Sequence, residues 1–190
     1  MNLKRIKTNY DLKLDPFACY KMEFLHNQAK ENFESTEKWL YLGSNARDSG
    51  FAKVGMTMGN LTTRSSSPEN PSYYLFCAFK CRHNITKSEL KDLEADALSY
   101  LGSVFVHPDG SSKRAKHHES ELISECFYDV DFHEFFRELH SYIYENHRNY
   151  FTISGFENED GFDEGEFVDC EFNSRMSRNE INSYIRMILQ

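Results

Sequence analysis

The spacing of apolar positions along the chain switches between a period of two and a period of three to four, which separates strands from helices. Residues 38–43 (KWLYLG) read as a strand, 45–50 (NARDSG) as turn chemistry and 51–57 (FAKVGMT) as the returning strand of a hairpin. Residues 72–82 (SYYLFCAFKCR) form a third, strongly apolar strand. Asp15 before Pro16 opens a helix to about residue 33, striped by Phe17, Tyr20, Phe24 and Leu25. Asn60 caps a short helix stopped by Pro68. Thr86 and Glu89 make a capping-box pattern for a helix that Gly102 is placed to end.

Residues 108–119 read as a polar loop and 122–130 as an edge strand. Asp131 with Glu134 opens a helix whose inner face holds Phe132, Phe135, Phe136, Leu139, Tyr142 and Ile143. Residues 150–153 are strand-like, and Ser177 with Glu180 caps a last helix carrying Ile181, Tyr184, Ile185 and Ile188. The expectation is an α+β protein with a small, mostly antiparallel three-stranded central sheet flanked by helices over 36–147. An N-terminal helical segment, 1–35, precedes it, and an acidic extension with a C-terminal helix, 148–190, follows.

Charge changes this picture mainly by its distribution. The net charge is −8, yet residues 156–190 hold nine acids against Arg175, Arg178 and Arg186. Removing those from the 30 acids and 22 bases of the chain leaves 21 against 19 before residue 156, a nearly neutral body. The acidic segment 157–171 is either a spacer or a charge mimic that competes for a basic surface, and it offers a docking point for a protein partner. No apolar run approaches the ~20 residues a bilayer span needs, so no membrane partner is expected. Met1 to Tyr10 leads into no apolar core of a secretion signal. Five scattered cysteines (Cys19, Cys77, Cys81, Cys126, Cys170) fit reduced thiols in a cytoplasm better than a disulfide framework.

One carboxylate stands out on pattern alone. In the helix after Thr86, Leu90, Leu93, Ala97, Leu98 and Leu101 mark one face, and Glu94 falls inside that stripe while Glu89, Asp92 and Asp96 fall outside it. A carboxylate turned toward a core is costly unless a cation, a metal or several donors offset it. Two readings stand: a salt bridge at the edge of the stripe, or a group kept for a cation. In the hairpin, Tyr41 and Lys53 lie on adjacent strands where both can point to one face, although Lys53 also reads as an exposed edge residue.

Taken in order, Trp39-Leu40-Tyr41-Leu42-Gly43-Ser44-Asn45, then Lys53-Val54-Gly55-Met56-Thr57, then Asn60-Leu61-Thr62-Thr63-Arg64 resemble the core of the GIY-YIG nucleases, in the form common among phage and restriction proteins. The resemblance spans 36–147. It implies an active site of Tyr41, Lys53, Arg64 and Glu94, the last in the Leu-Glu-x-x-x-Leu context the family shows. Trp39 departs from the usual Gly, and Lys53 replaces the second Tyr, as in some members. The resemblance further implies a DNA endonuclease of a bacterial or phage-infected cytoplasm, with one Mg²⁺ or Mn²⁺ on Glu94, Tyr41 as general base and Arg64 on the scissile phosphate. A free phenol has a pKa near ~10, so Lys53 and the metal must lower it.

Other candidates are less specific. Lys113, Arg114, Lys116 and His117 make either a phosphate-contacting loop or a solvated one. Cys77, Cys81 and His83 invite a zinc reading, but Cys77, Phe79 and Cys81 share a strand face, which favours core thiols. The alternatives to a nuclease are a non-catalytic nucleic-acid- or protein-binding module on the same fold, and a regulator acting through its acidic segment.

Overall fold

The computed structural model describes residues 37–65, 70–158 and 160–190; the helix expected over 15–33 and the 1–35 segment lie outside them. Strands β1 (Trp39–Asn45), β2 (Asp48–Thr57) and β3 (Tyr73–Lys80) form the expected antiparallel core, with β1 in the middle. A 3-10 turn, Leu61–Arg64, follows β2 and is capped by Asn60, whose side chain accepts from the Thr62 N–H at 2.8 Å. Helix α1 (Lys87–Val104) begins at the complete Thr86/Glu89 capping box. It runs past Gly102 and ends at an extended Phe105, so Gly102 is not its cap. Gly102 instead lies beside the segment entering β4, and a β-carbon there would meet the Ser112 hydroxyl at 3.3 Å.

The sheet is wider than three strands. β4 (Arg114–Lys116), β5 (Ile123–Phe127) and β8 (Cys170–Phe172) extend it to the order β4-β5-β2-β1-β3-β8, antiparallel at each pairing. The stretch read as a loop therefore contains the edge strand β4, and β5, expected at the edge, lies one place inside it. Helix α2 (Phe132–His147) starts at Asp131, which accepts from the Glu134 N–H at 2.9 Å. After a 3-10 turn, Arg148–Tyr150, strands β6 (Ile153–Glu157) and β7 (Asp163–Val168) make a separate two-stranded hairpin. The chain closes with α3 (Arg178–Ile188), opened by a full Ser177/Glu180 capping box.

The acidic extension is folded and belongs to the main core. Its Phe167, Val168, Ile185 and Ile188 are buried in the same cluster as Leu40, Leu42, Val54, Leu90 and Leu139. Phe76 of β3 is a hub there, meeting Phe132, Phe136, Phe172 and Tyr184 edge-to-face at 4.9–5.8 Å between ring centres. On β7 the exposed Asp163 and Glu164 precede the buried Phe167 and Val168, and on β8 the exposed Glu171 stands between the half-buried Cys170 and Phe172, so composition suggested a spacer where the strands build a wall. The alternation on β1 divides the sheet into two faces. Leu40 and Leu42 point into the helix-covered core, while Trp39 and Tyr41 join Leu75, Ala78 and Leu61 in a small cluster apart from it.

Candidate active site

Cross-strand register builds the site from β1 and β2. Tyr41 sits opposite Gly55 and Gly43 opposite Lys53. A β-carbon on Gly55 would overlap the ring and hydroxyl of Tyr41, and one on Gly43 would overlap the ring of Tyr73. Two tyrosines thus lie flat across two glycines, which gives both motif glycines a steric reason. Trp39, where the resembled family has Gly, is buried in the same small cluster as Tyr41. Burial pushes the Tyr41 hydroxyl above its ordinary range; Lys53 and Arg64 pull it down, while Glu125 and Glu94 oppose them. All four residues expected of the site are therefore brought into one electrostatic neighbourhood, together with Glu125.

Glu94 lies on α1 among Leu90, Leu93, Ala97 and Leu98, half-buried as the stripe requires. β5 pairs with β2 only at Ala52 and Lys53, so beyond Lys53 the outer edge of β2 is not covered by β5. There the Met56 N–H favours the Glu94 carboxylate. Burial nevertheless raises Glu94 to about 7, and the charge of Glu125 adds to that; the Met56 N–H, Lys53 and Lys91 only partly offset it. Among the described residues no Lys, Arg or His forms an ion pair with Glu94. Arg64 is exposed at the end of its 3-10 turn, and its charge reaches Tyr41 and Tyr73.

Two members of this neighbourhood have no local signal in the sequence. Glu125 of β5 forms an ion pair with Lys53 at 3.5 Å. Tyr73 of β3 is held well above the ordinary phenol range by burial, then by Tyr41. Both arrive through pairing between distant strands. The four basic candidates separate. Lys113 gives its ammonium to the Asp129 carbonyl at 2.6 Å, and Arg114 donates from Nε to the Ser124 carbonyl at 2.5 Å. Arg114 is also acted on by Glu125 and Glu94, at the border of the site. Lys116 and His117 remain exposed.

A cleft of about 490 Å³, lined by Ser44, Phe76, Phe132, His133 and Tyr184 among others, contains none of the four site residues. Cys77 and Cys81 are buried core residues, and burial pushes the Cys81 thiol up to about 12. Among the described residues no three His, Cys, Asp or Glu side chains group to hold a metal. No described helix is long and apolar enough to cross a membrane. No protein-family model, curated protein or solved structure matches the chain.

Proposed function

We propose that the chain is a metal-dependent endonuclease of the GIY-YIG type that hydrolyses phosphodiester bonds in DNA. The observation that carries this reading is Glu94: a half-buried carboxylate with no ion-pair partner among the described residues, sharing its field with Tyr41 and Lys53. A structural salt bridge would supply the cation that is missing there. A hard divalent ion held by Glu94, with water and phosphate oxygens completing its shell, fits a single carboxylate better than a closed cage does. When bound, such an ion supplies charge neutralisation at the scissile phosphate.

The protein groups divide the remaining work. Arg64, exposed at the end of its turn, clamps the phosphate through paired N–H donors. Tyr41 receives the proton of the attacking water, and the Lys53 ammonium favours the phenolate. Tyr41 and Lys53 stand on one sheet face, Arg64 on the turn after β2 and Glu94 on α1, all outside the cleft lined by Phe76 and Tyr184, which suits a polymer laid across a surface. One observation favours a non-catalytic binding module instead: burial outweighs the two cations at Tyr41, so its hydroxyl holds its proton in the free protein and is not poised to accept another. Incubating pure protein with supercoiled plasmid, with Mg²⁺, with Mn²⁺ and with a chelator, separates the two. The nuclease reading expects nicking only with metal; binding without nicking under every condition selects the module.

A further inference from the structure

We propose that Glu125 is a positioning residue of this site, acting through Lys53; the inference rests on the nuclease reading. Lysine brings a charge on a long, flexible stem, and β2 fixes only its root. Glu125 fixes its head: Nζ to Oε2 is 3.5 Å, the one ion pair Lys53 makes among the described residues. The backbone beneath Glu125 is held from both sides. β5 joins β2 at Lys53↔Cys126, the residue next to Glu125. The Ser124 hydroxyl accepts from the Cys126 N–H at 3.1 Å, while the Ser124 carbonyl accepts from Arg114 at 2.5 Å. A strand pinned at 124 and 126 presents the carboxylate between them to one place.

The pair itself is partly solvated, with side-chain exposures of 32% for Lys53 and 47% for Glu125. Such pairs contribute little to stability. Its consequence is geometric: it sets where the ammonium stands relative to the Tyr41 hydroxyl, which feels both charges. Small displacements of a charged group at a reacting centre cost far more in rate than in stability.

The test is a double-mutant cycle in single-turnover cleavage with wild type, Glu125→Gln, Lys53→Met and the double variant. Glu125→Gln lowers the rate constant by roughly 10- to 100-fold with KM little changed. The double variant is no slower than Lys53→Met, and Glu125→Asp recovers part of the loss. Multiplying losses in the double variant, unchanged cutting by Glu125→Gln, or an effect on KM alone would each overturn the proposal. So would a fall in melting temperature large enough to explain the lost rate. A second arm needs no activity: ¹⁵N spectra of the lysine ammonium groups show a protected Lys53 signal in wild type that vanishes in Glu125→Gln. Its absence from wild type overturns the positioning role even if DNA is cut. Wild-type protein that cuts nothing while showing that signal removes the nuclease reading and leaves the positioning of Lys53 standing.

Discussion

Glu94 and His140 occupy matching places on the two long helices, each a titratable group within an apolar stripe. Their surroundings differ. His140, between Phe136, Leu139 and Ile143 on α2, is fully buried, and its Nε2 accepts the Val168 N–H at 3.0 Å. That bond makes Nδ1 the protonated nitrogen, and Nδ1 is buried without a hydrogen-bond partner among the described residues. Burial alone lowers His140 to about 4. Glu94 sits in the field of Glu125, Lys53 and Lys91, and burial raises it to about 7. The histidine pins β7 to the core; the carboxylate has neighbours that form a chemical constellation. Burial of a polar group on a helix face does not by itself mark function. What marks it is the company of other charges.

The comparison breaks most sharply in turnover. Tyr41→Phe and Arg64→Ala should each lower cleavage by roughly 10²–10³-fold, with melting temperatures close to wild type. His140→Leu should do the opposite: cleavage at low temperature close to wild type, but ~1–3 kcal/mol less stability, because the buried Val168 N–H loses its acceptor. Equal losses of activity from both kinds of variant would erase the distinction. Gly55→Ala displaces the Tyr41 ring, so cleavage should fall by about 10²-fold. A near-normal rate for that variant would show that the ring's place over Gly55 is unimportant.

Stability against pH sharpens the same contrast, because the two shifts have opposite signs. His140 is lowered from 6.5 to about 4 in the folded chain, so the unfolded chain takes the proton first. Its contribution is whole above pH 6.5 and is lost as pH falls toward 4, about 3 kcal/mol in all. Glu94 is raised from 4.5 to about 7, so its contribution is whole below pH 4.5 and is lost as pH rises through 7. That loss is the smaller, since the carboxylate keeps part of its solvent. Denaturant melts across this range should show His140→Leu flattening the acid side and Glu94→Gln the neutral side. A reversed assignment would refute the two environments described here.

The smallest effect belongs to the acidic region. Deleting it would remove β7 and β8 and open the core, so charge is better removed than chain. Exposed Glu157, Asp160 and Glu171 changed together to their amides should tighten DNA binding only a few-fold at low salt. A gain of orders of magnitude would mean that this surface competes directly for the groove.

What the sequence made legible was local. Thr86 with Glu89, Ser177 with Glu180, and Asn60 announce helix starts, because capping is decided within four residues. Glu94 was legible because helical spacing exposes a carboxylate among leucines. Glu125 and Tyr73 were not, since each enters the site through pairing of strands far apart in sequence, such as Lys53 with Cys126. The three-stranded sheet fell short for the same reason: Cys170–Phe172 is only three residues long, and nothing local says that it pairs with Cys77 and Phe79.

The central claim is that Glu94 is kept for a cation rather than for a salt bridge. Plasmid nicking and thermal melting of wild type and Glu94→Gln, on the same preparations with Mg²⁺ or Mn²⁺ at pH 8, test it most directly. The account predicts metal-dependent nicking by wild type, a loss of orders of magnitude in Glu94→Gln, and a melting temperature level or higher because an uncompensated carboxylate has gone. A Glu94→Gln protein that melts much earlier and still cuts would contradict it.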